Sequence, residues 1–353
     1  MIKKYLLAFL SIIAVSLVFC NFSIFSTPTI DTTDTPSIPL LTIEGSYTNT
    51  PTLPIIYSTD IPYVEISPTP SPEMDMLPTY SSLIDDSLLG TIQKNVTFCT
   101  ADGINLKMDI YYPRSSIKPW PAVVLIHGGL WMSGDKSNDV TLKFVDSLVN
   151  SNYLVVAINY RLAPDNKFPD QLEDVKCAIR YLRGFHEKYN IDPSHIAVMG
   201  FSSGGHLAAL AGVTDPSHGF DVGRYPTQSS KVQAVIDLSG PTNIRMYCDP
   251  ATVKYVFGAD NCDDKKVLDA ANPATYISAD DPPFLIIHGD QDSLVPLDFS
   301  QYLHTKLDES GVPNILLLVQ NAGHSYSEQD VAFIPSFNEV INIVIQFLDS
   351  YIS

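Results

Sequence analysis

An α/β architecture, with a doubly wound and mostly parallel sheet of about eight strands, is what the sequence predicts, and two features carry that expectation. Beyond about residue 90, short apolar runs recur, several of them continuous, as strands buried on both faces of a parallel sheet require. Between them lie amphipathic segments of helical length, the alternation that builds βαβ units. In a chain of 353 residues, 45% hydrophobic and 17% charged, there is enough apolar material for a core and too little charge for a disordered chain. The formal net charge of −18 creates a field that repels phosphate backbones, which argues against a nucleic-acid partner.

The N-terminus stands apart from this pattern. Lys3 and Lys4 precede an apolar run from Tyr5 to Cys20, the layout of a signal peptide over residues 1–22, with an uncleaved N-terminal anchor as the alternative. Cys20 stands where a lipoprotein cysteine would, although Phe19 is larger than the small residue expected before it. Contact with a membrane is expected only through such an anchor or lipid, and the protein is expected to be secreted or held at the cell surface. Residues 23–88 are crowded with Pro, Thr and Ser, as in Ser67-Pro68-Thr69-Pro70-Ser71-Pro72, and read as an extended tether or a tail with no duty. Apolar patches such as Leu53-Pro54-Ile55-Ile56-Tyr57 could dock on the domain that follows, which we place at 89–353.

Strands are expected at Asn95–Thr100, Leu106–Tyr112, Ala122–His127, Tyr153–Ile158, His195–Gly200, Val232–Leu238, Phe284–His288 and Ile315–Val319. Helices are expected at Val140–Asn150, Pro169–Lys188, Ser203–Ala211, Leu297–Glu309 and Ser336–Tyr351. The excursions Val213–Lys231 and Pro241–Asp281 are too short for a large lid and suit the rims of an open cleft. Ligands of such sheets bind outside the carboxyl ends of the strands, so chemistry is sought just after each strand.

After the fifth apolar run comes Gly200-Phe201-Ser202-Ser203-Gly204, a G-x-S-x-G frame between strand and helix. A serine on a sharp turn needs neighbours without Cβ atoms at the closest approaches, and the helix that follows aims its N-terminal dipole at a developing oxyanion. A plain glycine turn is the bland alternative. Serine at its ordinary pKa is a poor nucleophile and needs a base and an orienting acid. After the seventh strand, Asp290 and Asp292 compete for the acid's role, and Asp292 is our choice; Asp290 reads as a solvated turn residue and His288 as a hydrogen-bonded structural histidine. After the eighth strand, Gly323-His324 puts a histidine on a loop that can reach over the strand ends, whereas His186, His195, His206, His218 and His304 lack that context. Ser, Asp, His is the chain order of one recurring triad arrangement.

An oxyanion hole is expected from the backbone N–H groups of Gly129, Leu130 and Ser203, because His127-Gly128-Gly129-Leu130-Trp131 follows the third strand. Trp131 reads equally as a wall of the substrate site or as a packing aromatic. Cys248 and Cys262 could pair in an oxidising compartment, while Cys99 and Cys177 read as small buried hydrophobes.

Over about residues 92–350 these motifs, with Ser133-Gly134-Asp135-Lys136, Asn159-Tyr160-Arg161-Leu162-Ala163-Pro164 and Phe168-Pro169 through Asp174, resemble α/β-hydrolase esterases of the hormone-sensitive-lipase type. The resemblance is closer still to bifunctional feruloyl and acetyl-xylan esterases. It implies the α/β-hydrolase fold, Ser202 as nucleophile, His324 as base then acid, Asp292 as orienting carboxylate, and no metal or organic cofactor. It further implies an ester substrate with a short or hydroxycinnamoyl acid, on a carbohydrate polymer. Leu130 stands where hormone-sensitive-lipase relatives carry a third glycine, which should narrow the adjoining pocket. Arg161 is expected to pair with a carboxylate such as Asp174. A peptidase or arylformamidase with the same triad, and a non-catalytic binding module on the same fold, are the rival readings.

Overall fold

A computed structural model describes residues 90–353 apart from 138, 247 and 328–331. The leader, the tether and its junction near residue 88 lie outside the described residues. Eight strands form one sheet: β1 (Ile92–Ala101), β2 (Ile104–Tyr111), β3 (Trp120–Ile126), β4 (Leu154–Ile158), β5 (Ile191–Phe201), β6 (Ala234–Leu238), β7 (Phe284–Gly289) and β8 (Asn314–Val319). Their spatial order is β1-β2-β4-β3-β5-β6-β7-β8, with β2 antiparallel to both neighbours and every pairing from β4 through β8 parallel. Every residue of β4, β6 and β7 is buried, the two-faced burial that their continuous apolar runs demand.

Helices cover both faces. The five of six residues or more that pack on the sheet are α1 (Val145–Asn150), α2 (Asp170–Gly184), α3 (Ser203–Val213), α4 (Asp298–Glu309) and α5 (Phe337–Ile352). α5 starts on a capping box, with the Ser336 hydroxyl accepting from the Glu339 N–H and the Glu339 carboxylate accepting from the Ser336 N–H. α3 is buried along its whole length except at Gly212, which is why its sequence is apolar on every side. The core is two clusters, one on each face of the sheet, and alternate residues of β3 feed them: Ala122, Val124 and Ile126 one, Val123 and Leu125 the other. The excursion 241–281 folds into short helical turns, the longest Lys265–Ala270, with no large lid.

Two disulfides are present among the described residues. Cys248–Cys262 staples the excursion, as its local spacing allowed. Cys99–Cys177 corrects the expectation of two free buried thiols: both side chains are buried, but α2 packs on β1 with the two residues opposed, Cα atoms 6.5 Å apart, across 78 residues of sequence.

Arg161 follows β4 and is 4% exposed at its side chain. Its guanidinium meets Asp174 through Nε at 2.9 Å, Asp102 and Asp170 through Nη1 at 2.6 and 3.4 Å, and Glu173 through Nη2 at 3.3 Å, while its own N–H donates to Asp174 at 2.8 Å. Burial opposes the guanidinium charge, and the hydrogen bond and charge of Asp174 more than restore it. Burial also lifts the Asp174 carboxyl against the pull of Arg161; both its oxygens bond to Nε and one also to the N–H, which holds the two groups as an ion pair. The network ties α2 to the loop after β4 and hence to the site. Arg161→Met, which strands a buried carboxylate, is expected to cost about 3–5 kcal/mol in urea unfolding; a loss below about 1 kcal/mol would show that the cluster does not hold this corner together.

Candidate active site

β5 ends at Phe201 and α3 begins at Ser203, leaving Ser202 alone on the turn with φ 54° and ψ −121°. A non-glycine residue reaches that conformation only when its surroundings over-determine it. Here the Ser202 N–H donates to the Leu238 carbonyl at 2.8 Å and its own carbonyl accepts from the His206 N–H at 3.1 Å, so both peptide groups are committed. The side chain is 4% exposed, at the carboxyl end of the central strand.

The loop after β3 lies beside this turn. Gly129, Leu130 and Trp131 have φ of 121°, 57° and 59°, three consecutive residues in the left-handed region. A Cβ on Gly129 would stand 2.2 Å from the Ser133 carbonyl oxygen, so only glycine fits there. The Gly129 carbonyl accepts from the Met132 and Ser133 N–H groups at 3.1 and 3.0 Å, and the Gly128 N–H donates to Asp139 at 2.8 Å. Among the described residues, none accepts a hydrogen bond from the N–H of Gly129, Leu130 or Ser203. The Ser203 N–H is one of the orphan donors of a helix start. Tyr160 joins the two elements, donating to the His127 carbonyl at 3.0 Å and lying 3.4 Å from the Ser203 hydroxyl, with its ring stacked on His127 at 4.3 Å.

Asp292 and His324 come from the loops after β7 and β8. His324 Nδ1 and Asp292 Oδ2 are 2.7 Å apart, and Asp292 Oδ1 accepts from the N–H groups of Leu294 and Val295 at 2.9 and 2.8 Å. With a carboxylate at Nδ1, the network assigns the proton to that nitrogen and leaves Nε2 as the basic one. The imidazole lies 4.8 Å from the ring of Phe201, the neighbour of Ser202. Asp292 has a fully buried side chain; burial opposes its ionisation, and donors from His288, His324 and Val295 overcome that, holding the carboxyl well below the ordinary range. Asp290 is exposed and accepts from the Asn321 N–H at 2.7 Å, which laces the two loops together without touching His324.

His288 is fully buried, between the Ser300 hydroxyl at 2.7 Å and the Val295 carbonyl at 2.8 Å, with Asp292 at 3.4 Å. It is the structural histidine of the sequence reading, with an added hold on Asp292 that the sequence did not signal. Trp131 is 2% exposed and packs against Phe257 at 5.1 Å and His206 at 5.2 Å, the contacts of a packing aromatic.

Residues 108–307, more than half of the chain, match the family model BD-FAE. The chain belongs to the BD-FAE family. A probable carboxylic ester hydrolase, LipM of Mycobacterium tuberculosis, is 34% identical over 184 residues, 50% of this chain and 42% of that protein. Esterase LipC of the same organism is 27% identical over 61% of this chain and 55% of its own length. The chain thus spans about half the length of these curated relatives. Among solved structures, a truncated carbohydrate esterase from gut microbiota has a TM-score of 0.64 at 29% identity, covering 75% of this chain and 98% of that one. The bifunctional GH43-CE of Bacteroides eggerthii has a TM-score of 0.63 at 32% identity, covering 76% of this chain and 38% of that one. With the eight-stranded, mostly parallel sheet, these likenesses show that the chain has the α/β-hydrolase fold.

Asp292→Asn presents an amide where Nδ1–H needs an acceptor, and the imidazole tautomer that follows is the wrong one for a base. Ester turnover in this variant is expected to fall about 10³–10⁴-fold. Because the folded carboxyl titrates below the unfolded one, its stabilisation is complete above the unfolded value and fades as pH falls below it. The gap in Tm between wild type and Asp292→Asn should therefore be widest above about pH 5 and close below about pH 3.9. Thermal melts across that range check the sign, and a gap that widens with acid contradicts it.

Proposed function

We propose that the protein is a serine esterase that releases short or hydroxycinnamoyl acids from esters of plant polysaccharide. One observation supports the reading: His324, paired with Asp292 at 2.7 Å, lies 4.8 Å from the ring of Phe201, the chain neighbour of a serine held at positive φ. In this reading His324 Nε2 takes the proton of Ser202 as its Oγ attacks the ester carbonyl. The oxyanion forms under the N–H groups of Gly129, Leu130 and Ser203, and His324 protonates the leaving alcohol. Water, deprotonated in turn by His324, then frees the acid from the acyl-enzyme.

The polysaccharide substrate is supported by the likeness to a carbohydrate esterase and to a GH43-CE protein. The absence of a large lid among the described residues suits an acyl group carried on a bulky, exposed alcohol. We further propose that the chain is exported by its N-terminal leader and held off a surface by the tether over residues 23–88. The two disulfides support export, since such bonds persist in oxidising compartments.

Ser202→Ala is expected to lower p-nitrophenyl acetate hydrolysis about 10⁴-fold or more and to abolish fluorophosphonate labelling. Unchanged turnover would remove Ser202 from the mechanism. Acid release from acetylated xylan, feruloylated xylan, a proline anilide and a formanilide, measured side by side, should favour the xylans; dominance of either amide would replace the esterase reading with a peptidase or an arylformamidase.

A further inference from the structure

His206 opens the second half of the first turn of α3, four residues after Ser202, and its side chain is fully buried. Its two ring nitrogens reach two separate segments. The Trp131 indole N–H lies 3.3 Å from Nδ1, and the Ala271 carbonyl lies 2.7 Å from Nε2. Indole can only donate and a carbonyl can only accept, so one tautomer satisfies both: a bare Nδ1 and a protonated Nε2. Burial pulls the imidazole's pKa down to about 4, in keeping with a ring that is never required to carry charge. Phe257 packs edge-on against both rings, at 5.1 Å from Trp131 and 6.1 Å from His206, and closes the cluster from the 241–281 excursion.

What His206 holds is the end of the loop that carries the oxyanion donors. Trp131 and Leu130 both sit at positive φ without being glycine, so the loop's shape must be imposed from outside. The Trp131 carbonyl is fixed by the Ala163 N–H at 2.9 Å, and its indole is fixed by His206. The tie runs between the helix that supplies the Ser203 N–H and the loop that supplies those of Gly129 and Leu130, so it sets the spacing between the two halves of the hole.

We propose that His206 and Trp131 are positioning residues for the oxyanion hole, their hydrogen bond fixing the Gly129–Leu130 donors relative to the start of α3. The proposal rests on the esterase reading above. Oxyanion donors act on the tetrahedral state more than on bound ester, so their misplacement lowers kcat and the affinity for tetrahedral mimics together, with KM little changed.

The test uses the whole chain and p-nitrophenyl acetate, with phenylboronic acid as the tetrahedral mimic at Ser202. Trp131→Phe keeps a packed ring and loses the N–H. It is expected to lower kcat about 10–100-fold with KM within about threefold, and to weaken boronate inhibition by a similar factor. His206→Leu should match it, while His206→Asn, whose Oδ1 can stand in for Nδ1, should recover most of the loss. A Trp131→Phe protein with lowered Tm but unchanged kcat and boronate affinity would overturn the proposal and reduce the pair to packing. Wild-type turnover that does not depend on Ser202 would instead overturn the esterase reading beneath it, and the two failures are read from different proteins.

Discussion

Where α3 begins, its first turn, the end of β3 and the end of β6 approach so closely that no Cβ fits between them. A methyl on Gly204 would stand 2.1 Å from the Ile126 carbonyl oxygen, and one on Gly205 would stand 2.2 Å from Asp237 Oδ1. That approach brings the helix start against the third strand's loop, where a Cβ on Gly128 would stand 3.2 Å from the Ser202 Cβ. It also forces Ser202 into a conformation that costs on the order of 1–3 kcal/mol. The offset comes from the buried sheet around it, since Val198, Met199 and Ile236 are all fully enclosed. Ser202 is thus held in its conformation by the elements that meet around it.

Two buried aspartates near this convergence behave in opposite ways. Asp292 has donors on both oxygens and stays ionised. Asp237 accepts one N–H, from Gly240 at 2.9 Å, and its Oδ2 has no partner among the described residues. Burial therefore pushes it up to about 7. The sign of its linkage is reversed: the folded state keeps a proton that the unfolded chain releases, so this group lowers stability as pH rises from the ordinary carboxyl range toward about 7. What separates the two is the supply of donors. The loop holding Asp292 turns two N–H groups inward, and the strand end holding Asp237 turns in one.

All eight strands and five helices were legible in the sequence because each is either a continuous apolar run or an amphipathic segment bounded by turn residues. The departures lie at the ends. β5 starts at Ile191, not His195, because Ile191 pairs with Trp120 before a register shift, a pairing that no local pattern encodes. The expected helix 169–188 breaks at Phe185, where the backbone leaves the helical region before a short turn at His186–Tyr189. Ser202, Asp292 and His324 could be read because each follows a strand, and the fold gathers strand ends. Cys99–Cys177, the hold of His288 on Asp292 and the burial of Trp131 could not, since each depends on how distant segments pack.

The loop after β3 joins these two kinds of information. Glycine at position 129 is dictated by contact with Ser133, but Leu130 and Trp131 adopt left-handed φ without that freedom. Such a loop, if isolated, would relax toward ordinary conformations, each such residue costing roughly 1–2 kcal/mol. It is instead gripped at Gly128 by Asp139, at Gly129 by Ser133, and at Trp131 by Ala163 and His206. Every grip falls on a carbonyl, an indole or the Gly128 N–H, and none consumes the N–H of Gly129 or Leu130. The loop is therefore held through groups other than these two N–H groups, which have no acceptor among the described residues; in the proposed mechanism that leaves them preorganised, the condition under which such donors lower a barrier instead of merely binding substrate.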